Sequence, residues 1–366
     1  MSPEEKERRH KLITDFMERE GIDCILIYGR EGFNTRGNMR YVTGYGVHFG
    51  EQFCIFPYDD EPVFFGSSSA NYHVKKKGWV KKCVELVDPQ KQIVEHIKDF
   101  YRGNSIGVPN LMNLPAYMYL ALDKHFPIKD VTMLFRKARS IKSTEEMEKI
   151  RIAAYIADKA CEAVREILKP GISDFEIYAK VKETIYRMGC EYSMDFIDAE
   201  GNRVNLFNPT GNLARTGKTV VVEISPSFDG YYAQLAVTFP VEECTDELRS
   251  LFRVWKKAVE AGEELLRSGV KVCEVYEKVV RTIEDSGYLS PLRPGHAIGL
   301  DVIDFFSISK EEETELASGM VLAFHPCVMK ETGEGIGMGC TYVIKEKGFE
   351  RLSKLDLKSL VEEFSR

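Results

Sequence analysis

The segment ILKPGISDFEIYAKVKETIYRMG, residues 167–189, has a related second copy in this 366-residue chain. Its second copy, LLRSGVKVCEVYEKVVRTIEDSG, covers residues 265–287 and lies at a constant offset of 98 residues. The identical positions include Gly171 and Gly269, Glu176 and Glu274, Tyr178 and Tyr276, Lys180 and Lys278, Thr184 and Thr282, and Gly189 and Gly287. Two copies are too few for a solenoid, which needs at least about three stacked repeats. The repeat therefore predicts one domain built from two related halves.

A hairpin pattern follows the first copy. The sequence VVVEISPSFDGYYAQLAVTF, residues 220–239, is typical of two apolar strands folded on a turn at Phe228-Asp229-Gly230. Each strand carries one polar residue, Glu223 or Gln234. An unsatisfied polar group in a protein interior costs about 1 to 3 kcal/mol, so we expect these two side chains to hold a partner. Pairing centred on the turn would place Glu223 opposite Gln234.

A second hairpin pattern, MVLAFHPCVMKETGEGIGMGCTYVI at residues 320–344, follows the second copy. Side chains alternate across a strand, so His325 and Cys327 share a face, and hairpin pairing places His325 opposite Gly339. The segment PGHAIGLDV, residues 294–302, contributes His296. Two hairpins that meet at a pseudo-twofold axis bring their polar residues into one pocket. The residues predicted to form this pocket are Glu223, Gln234, His296 and His325.

The N-terminal third of the chain has a different organisation. Residues 1–130 alternate helix and strand patterns, which predicts a mixed sheet with helices on its faces. Residues 131–142 are polar and irregular and are predicted to be a linker. Ser143 and Glu146 then form a capping box at the start of a long amphipathic helix. We therefore expect a second domain over residues 143–366 and an α/β (α+β) chain.

Composition excludes several classes of partner. The net charge is -7, and no basic stripe runs along any predicted helix, so nucleic acid is not an expected partner. The charged start MSPEEKERRHKL is unlike a signal peptide, and no run of about 18 apolar residues is present to span a membrane. The nine cysteines are scattered without a C-x-x-C pair, which indicates buried thiols in a reducing compartment. We expect a cytoplasmic protein without membrane contact.

Six ordered motifs resemble those of the creatinase, prolidase, aminopeptidase P and methionine aminopeptidase family, peptidase family M24. The motifs are NMRYVTGY (38–45), ARSIKSTEEMEKIRIAA (138–154), LKPGISDFEI (168–177), GHAIGL (295–300), GMVLAFHP (319–326) and KGFERLSK (347–354). The resemblance covers nearly the whole chain, and the internal repeat agrees with it independently. It implies a C-terminal pita-bread domain with a pseudo-twofold repeat and a smaller N-terminal creatinase-like α/β domain.

The peptidases of this family hold two metal ions with two Asp, one His and two Glu residues. The resemblance assigns these five positions here to Glu223, Gln234, His296, His325 and Gly339. Only the histidine is retained, and the charges that would balance two divalent ions are missing. The resemblance therefore leads us to expect no dinuclear site and no cofactor. One divalent transition metal on Glu223, His296 and His325 is the alternative.

Neither known mechanism of the family transfers intact to this sequence. The family's second catalytic histidine, seven residues after the first, is replaced by Ile303. The histidine that creatinase-like members use before the first hairpin is replaced by Asn205 or Asn208. The residues expected to act in catalysis are Glu223, His296 and His325. The residues expected to bind substrate in the same domain are Gln234, Asn208 and Cys327.

Three functions remain open. The first is a creatinase-like, metal-independent hydrolase or lyase that acts on a C–N bond of a small amino-acid-derived or guanidino compound and has no Xaa-Pro peptidase activity. The second is an Xaa-Pro dipeptidase-like hydrolase with a single metal ion. The third is a catalytically inactive pita-bread binding protein. The retained ionisable groups of the pocket argue against the third function.

The resemblance also implies a homodimer, because the N-terminal domain of one subunit covers the pocket of the other in creatinase-like relatives. The segment RGNMRYVTGYGVHFGE, residues 36–51, supplies Arg40, Tyr41 and His48 as candidate substrate contacts in the partner's pocket. Arg40 would clamp a substrate carboxylate in a bidentate fork. The alternative is that Arg40 and Tyr41 pack within their own domain.

Overall fold

The structure is a computed structural model that describes residues 1–32, 35–47, 49–201 and 208–364. It divides into two compact units, Met1–Arg139 and Ser140–Arg366. Each unit has its own sheets and its own buried apolar cluster. Among the described residues, no helix combines the length and the apolar character that crossing a bilayer requires.

Unit 1 contains a mixed sheet and helices. Its strands are β1 (Ile22–Gly29), β2 (Gln52–Pro57), β3 (Val63–Gly66), β4 (Lys82–Glu85), β5 (Ser105–Val108) and β6 (Ile128–Asp130). Its helices are α1 (Pro3–Glu20), α2 (Gly37–Thr43), α3 (Ser68–Lys77), α4 (Pro89–Phe100), α5 (Ala116–Asp123) and α6 (Thr132–Ser140), and a 3₁₀ turn covers Leu111–Asn113. The strand order is β4-β3-β2-β1-β5-β6, with β1 antiparallel to β2 and parallel to β5. Strand β1 is buried along its whole length, as expected for a central strand that is covered on both faces.

The segment predicted to be an irregular linker, residues 131–142, instead holds helix α6 over most of its length. The carboxylate of Asp130 accepts a hydrogen bond from the backbone N–H of Thr132 at the start of this helix. Val131, Phe135 and Arg139 are buried at a spacing of four residues, which is a helical pattern.

The helices of unit 2 reproduce the sequence repeat. They are α7 (Thr144–Ile167), α8 (Asp174–Arg187), α9 (Asp246–Glu263), α10 (Val272–Glu284) and α11 (Leu357–Phe364), and α10 begins 98 residues after α8. Gly171 and Gly269 precede α8 and α10 with φ of 84° and 83°, a left-handed conformation that glycine adopts without a Cβ penalty. Each of these glycines donates its N–H to a loop carbonyl at 2.8 Å. The two halves therefore share the same helical frame.

The strands of unit 2 are divided between its two halves. The strands of the first half are β7 (Ser193–Asp198), β8 (Thr219–Phe228), β9 (Tyr231–Tyr232) and β10 (Leu235–Pro240). Those of the second half are β11 (Gly295–Ala297), β12 (Val321–Phe324), β13 (Cys327–Met329), β14 (Gly335–Gly337), β15 (Cys340–Ile344) and β16 (Phe349–Arg351). The sheet orders are β10-β8-β7, with β9 paired to β8, and β11-β12-β15-β16, while β13 and β14 form a separate ribbon.

The register of the first hairpin differs from the prediction. Asp229 and Gly230 both have positive φ, 48° and 83°, which is typical of a two-residue type I′ turn. Because the turn has two residues and is centred later than expected, Glu223 lies opposite Ala236 and not opposite Gln234. The predicted pairing is therefore wrong by two residues.

The two halves of unit 2 join edge to edge through their hairpins. Ala236 and Gly339 exchange two backbone hydrogen bonds, of 2.8 and 3.0 Å. On one side of this pair the Thr238 hydroxyl donates to a backbone carbonyl at 2.9 Å, and on the other side the Thr341 hydroxyl donates to the carbonyl of Gln234 at 3.1 Å. This contact is called the seam below. It comprises residues 234–238 and 337–341.

Candidate active site

Glu223 occupies the middle of β8 and is only 5% exposed. The side-chain amide of Gln234 donates a hydrogen bond to its carboxyl group. Burial raises the pKa of Glu223 to about 7, and the positive charge of Arg293 and the Gln234 hydrogen bond oppose that rise without cancelling it. The carboxyl group is therefore partly protonated at neutral pH.

His296 in β11 and His325, directly after β12, provide two imidazole rings. The ring centroids lie 5.3 Å apart, with the planes at 65°. Burial lowers the pKa of His296 to about 3, with a further contribution from His325, and burial and the charge of Arg293 lower the pKa of His325 to about 4. Both rings are therefore neutral at neutral pH, and each offers one donor and one acceptor.

A narrow cavity is shared by Glu223 and His325. It is lined by Val221, Glu223, Ala236, Leu292, His325, Cys327 and Gly337. The small side chain of Ala236 stands opposite Glu223 in the strand register and leaves space beside the carboxyl group. The Cys327 thiol donates to the carbonyl of His325 at 3.7 Å, and burial raises the pKa of this thiol to about 12. Cys327 is therefore a neutral wall of the cavity and not a nucleophile.

Three buried polar atoms near Glu223 have no hydrogen-bond partner among the described residues. They are Ser225 Oγ, Gln234 Oε1 and His325 Nε2. Ser225 lies on the same face of β8 as Glu223, two residues further along the strand. Because buried polar atoms in proteins are nearly always paired, these three atoms indicate that the site takes a polar ligand.

Sequence reasoning missed Arg293. Its charge acts on Glu223, His296 and His325, and its own side chain is exposed. The neighbouring Leu292 lines the cavity, and the carbonyl of Pro294 accepts a hydrogen bond from the His325 N–H at 2.7 Å. One signal was available, because Arg293 is the single Lys or Arg between residues 282 and 309 and stands three residues before His296.

Two other residues of this domain that the sequence singled out are Asn208, which is not among the residues that line the cavity, and Asn205. Asn208 is exposed in the chain before β8, and Asn205 lies outside the described residues. A substrate contact of Asn208 stays a prediction.

The predicted contacts from the N-terminal domain are buried in unit 1. Arg40 and Tyr41 belong to α2 and are 7% and 0% exposed. The guanidinium of Arg9 stacks on the Tyr41 ring at 4.7 Å, and a Cβ atom on Gly46 would lie 2.0 Å from Arg40 Nη2. These contacts favour packing within the unit, and a role in a partner's pocket stays a prediction. His48 lies outside the described residues.

Comparison with known families identifies both parts of the chain. Residues 148–346 match the profile of "Metallopeptidase family M24", and residues 9–141 match the profile of "Creatinase/Prolidase N-terminal domain". The predicted resemblance is therefore confirmed. So is the predicted fold class, an N-terminal creatinase-like α/β part followed by a pita-bread part.

Individual relatives cover nearly the whole chain. The Xaa-Pro dipeptidase of Pyrococcus furiosus is 28% identical over 364 residues, which are 97% of this chain and 100% of that protein. An uncharacterized peptidase of Staphylococcus epidermidis is 24% identical over 357 residues, 94% of this chain and 99% of that protein. The crystal structure of the prolidase from Pyrococcus horikoshii OT3 has a TM-score of 0.84, 22% identity, and coverage of 94% of this chain and 98% of that chain. At the level of the family, these findings confirm the prediction of a hydrolase that acts on a C–N bond.

The prediction of no cofactor is contradicted by the family match, because the profile that covers residues 148–346 describes metallopeptidases. The side chains at the five ligand positions nevertheless do not fit the two-ion site. A Cβ atom at Gly339 would lie 2.0 Å from the carbonyl oxygen of Phe324 and 2.3 Å from the Cα atom of His325, so this position has no room for a ligand. Within the described ranges, no group of three or more His, Cys, Asp and Glu side chains is placed to hold an ion. No catalytic step is therefore assigned to a metal ion.

Proposed function

Because this chain belongs to metallopeptidase family M24, we propose that it hydrolyses the C–N bond of a dipeptide or a similarly small amino-acid derivative, in the manner of an Xaa-Pro dipeptidase. The named relatives support the dipeptidase alternative over the creatinase-like, metal-independent reaction. They also argue against the expected lack of Xaa-Pro peptidase activity. The reaction is proposed to take place in the cavity of unit 2 that Glu223 and His325 share.

One observation carries this proposal: a buried carboxyl group and a neutral imidazole ring line the same small cavity. A carboxyl group with a pKa of about 7 accepts and returns a proton at neutral pH, which suits a general base and acid. The neutral ring of His325 has an unpartnered Nε2 atom available to a substrate or to the attacking water. His296, 5.3 Å from His325 between ring centroids, orients that ring by contact.

The experiment measures release of free proline from Gly-Pro and Ala-Pro by the purified full chain, with and without added Mn²⁺, Co²⁺ or Zn²⁺. Glu223→Gln is expected to lower turnover by about 100-fold or more, because a positioned acid or base commonly contributes 10²- to 10⁴-fold. Glu277→Gln, at an exposed position on α10, is the matched control and should leave turnover unchanged. The proposal fails if the wild-type chain releases no amino acid from any dipeptide under these conditions, or if Glu223→Gln retains full turnover.

The predicted cytoplasmic homodimer remains part of the proposed function. In it, unit 1 of one subunit covers the pocket of the other, although Arg40 and Tyr41 are themselves buried within unit 1. Light scattering of the purified chain tests the assembly. A monomer at assay concentration would exclude the shared pocket.

A further inference from the structure

We propose that Asp195, which is held by Lys182 of helix α8, is a positioning residue that fixes the strand carrying Glu223. The inference rests on the proposed function and deepens it, because Glu223 is the group proposed to accept and return the proton. Neither Lys182 nor Asp195 was predicted to belong to the site.

Asp195 reaches the backbone of β8 from the neighbouring strand β7. Its Oδ1 atom accepts a hydrogen bond from the backbone N–H of Ser225 at 3.0 Å. Ser225 lies two residues after Glu223, so the two side chains are on the same face of β8. The side chain of Asp195 is 0% exposed, and a hydrogen bond to a buried carboxylate is stronger than one to a neutral acceptor. The carboxylate therefore fixes the backbone of β8 beside Glu223.

The other carboxylate oxygen of Asp195 is paired with Lys182. The Nζ atom of Lys182 lies 2.6 Å from Asp195 Oδ2 and donates to the Ser193 hydroxyl at 2.6 Å. The ammonium group also lies over two rings of its own helix, 5.0 Å from the centroid of Tyr178 and 5.8 Å from that of Tyr186. These contacts hold the ammonium group in place, where it compensates the buried charge of Asp195. The Lys182–Asp195 pair and its hydrogen bond to β8 are called the clamp below.

The sequence repeat shows that Lys182 is not part of the frame that the two halves share. Lys180, on the same helix, is matched by Lys278 at the offset of 98 residues, but Lys182 is matched by Val280. A valine forms no ion pair, so helix α10 takes its place in the second half without such a lysine. The clamp therefore belongs to the half that carries Glu223, and the shared frame does not require it.

The clamp should act on the rate of the reaction and not on substrate binding. Neither Lys182 nor Asp195 is among the residues that line the cavity, so neither contacts a ligand there. A general base must lie within about 3 Å of the proton that it takes, and a displacement of about 1 Å can lower the rate by about 100-fold. Loosening β8 beside Glu223 should therefore lower kcat and leave KM nearly unchanged.

The experiment measures kcat and KM of the full chain for the dipeptide that the wild-type chain cleaves fastest. Asp195→Leu keeps a similar side-chain volume and removes both acceptor oxygens, so kcat should fall by about tenfold or more while KM changes by less than about twofold. Lys180→Met, which removes the longer Lys180–Glu183 pair from the surface of the same helix, is the matched control. It should leave both constants unchanged.

A rescue separates the hydrogen bond from the charge. Asparagine has one acceptor oxygen, for which Lys182 would compete with the N–H of Ser225. The rescue is therefore made in the Lys182→Met background, where Asp195→Asn and Asp195→Leu differ in the acceptor alone. The double variant with asparagine should have a kcat about tenfold higher than the double variant with leucine.

Hydrogen exchange at the N–H of Ser225 gives a reading that does not need catalysis. Asp195→Leu should lower the protection of this N–H by about tenfold, and asparagine in the Lys182→Met background should retain it. Lys180→Met should exchange as wild type. Thermal melting confirms that each variant is folded, and Asp195→Ala takes the place of Asp195→Leu if the leucine variant does not fold.

Three outcomes overturn the inference: unchanged protection of Ser225 in Asp195→Leu, wild-type kcat in that variant, or equal kcat in the two double variants. A rise in KM at constant kcat would also overturn it, because the clamp would then act on binding. A wild-type chain that cleaves no dipeptide removes the proposed function. In such a chain, the exchange of Ser225 alone decides whether Asp195 fixes β8.

Discussion

The two halves of unit 2 have the same backbone plan and unlike side chains at the site. In the first half, Glu223 lies opposite Ala236, and Ala236 meets Gly339 of the second half at the seam. Gly339 packs against the backbone of His325. Glu223 and His325 are therefore equivalent positions of the two halves, one a carboxyl group and the other an imidazole ring.

The positions that are alike in the two halves serve the fold, and the positions that differ face the cavity. The helices α8 and α10 keep one offset in sequence, and the glycines before them keep the same left-handed φ. These positions shape the frame, where glycine avoids a steric penalty. The strand positions that face the cavity differ in size, charge and pKa. A substitution in one half can therefore be compared with a substitution at the corresponding position of the other half.

The largest predicted loss of stability comes from breaking a buried ion pair of unit 2. Lys142, just before α7, and Asp304 of the second half form a pair at 3.0 Å with both side chains 1% exposed, whereas Lys182 of the Lys182–Asp195 pair in the first half is 22% exposed. Asp304→Ala leaves a buried ammonium group without its partner, so the free energy of unfolding should fall by about 3 to 5 kcal/mol. Urea unfolding followed by tryptophan fluorescence measures the change.

Two controls accompany Asp304→Ala. Asp195→Ala should cost less, because Lys182 reaches water, and Asp15→Ala in the exposed Lys11–Asp15 pair should cost no more than about 1 kcal/mol. Equal losses for Asp304→Ala and Asp15→Ala would show that the buried Lys142–Asp304 pair contributes no more to stability than the exposed Lys11–Asp15 pair.

The sequence predicts the helical frame better than the strand register. The repeat was visible because α8 and α10 carry identical residues at one offset. Glu223 and His325, which line the cavity, were predicted as pocket residues from polar positions in apolar strands. The cross-strand partner of Glu223 was predicted wrongly, because a shift of the turn by one residue changes the partner of every residue in the hairpin. Arg293 was missed because it is exposed in a loop, where no periodic pattern marks it.

The contributions of Glu223 and His325 to the free energy of unfolding should depend on pH in opposite directions. Folded Glu223 has a pKa of about 7 against 4.5 for the unfolded chain, so its stabilising contribution is complete below pH 4.5 and is lost as the pH rises to about 7. Folded His325 has a pKa of about 4 against 6.5, so its contribution is complete above pH 6.5 and is lost as the pH falls to about 4. The shift of Glu223 corresponds to about 3 kcal/mol.

Urea unfolding across this pH range compares the wild-type chain with Glu223→Gln and His325→Gln. Relative to Glu223→Gln, the wild-type chain should lose stability as the pH rises, and relative to His325→Gln it should lose stability as the pH falls. Parallel curves for the wild-type chain and Glu223→Gln would mean that the carboxyl group ionises normally in the folded protein.

A smaller effect is expected at the centre of the seam, where the halves carry Ala236 and Gly339. A Cβ atom at Gly339 would press on backbone atoms of Phe324 and His325, which cannot rotate away. Gly339→Ala should therefore lower the free energy of unfolding by about 2 to 3 kcal/mol. Ala236→Gly, the reverse change at the matched position, should cost only about 1 kcal/mol. Similar costs for both changes would mean that the seam has room at Gly339.

The smallest predicted loss of stability comes from removing the threonine hydroxyls on the two sides of the seam. Thr238 Oγ1 donates to the carbonyl of Gly337 at 2.9 Å and accepts from its N–H at 3.1 Å, and Thr341 Oγ1 does the same for Gln234 at 3.1 and 2.8 Å. Both threonines are buried, so each hydroxyl joins the halves without competition from water. Thr238→Val and Thr341→Val keep the side-chain volume and remove both hydrogen bonds, which should cost about 1 to 2 kcal/mol in each case.

Equal losses in these two variants would show that the seam supports both halves alike. Hydrogen exchange adds a second reading, because the N–H of Gly337 should lose protection only in Thr238→Val and the N–H of Gln234 only in Thr341→Val. Thr341→Val carries one further consequence, since Gln234 also holds the carboxyl group of Glu223 through its side chain. If both variants lose the same stability but only Thr341→Val loses turnover, the two threonines stabilise the seam equally, and only Thr341 also supports the site.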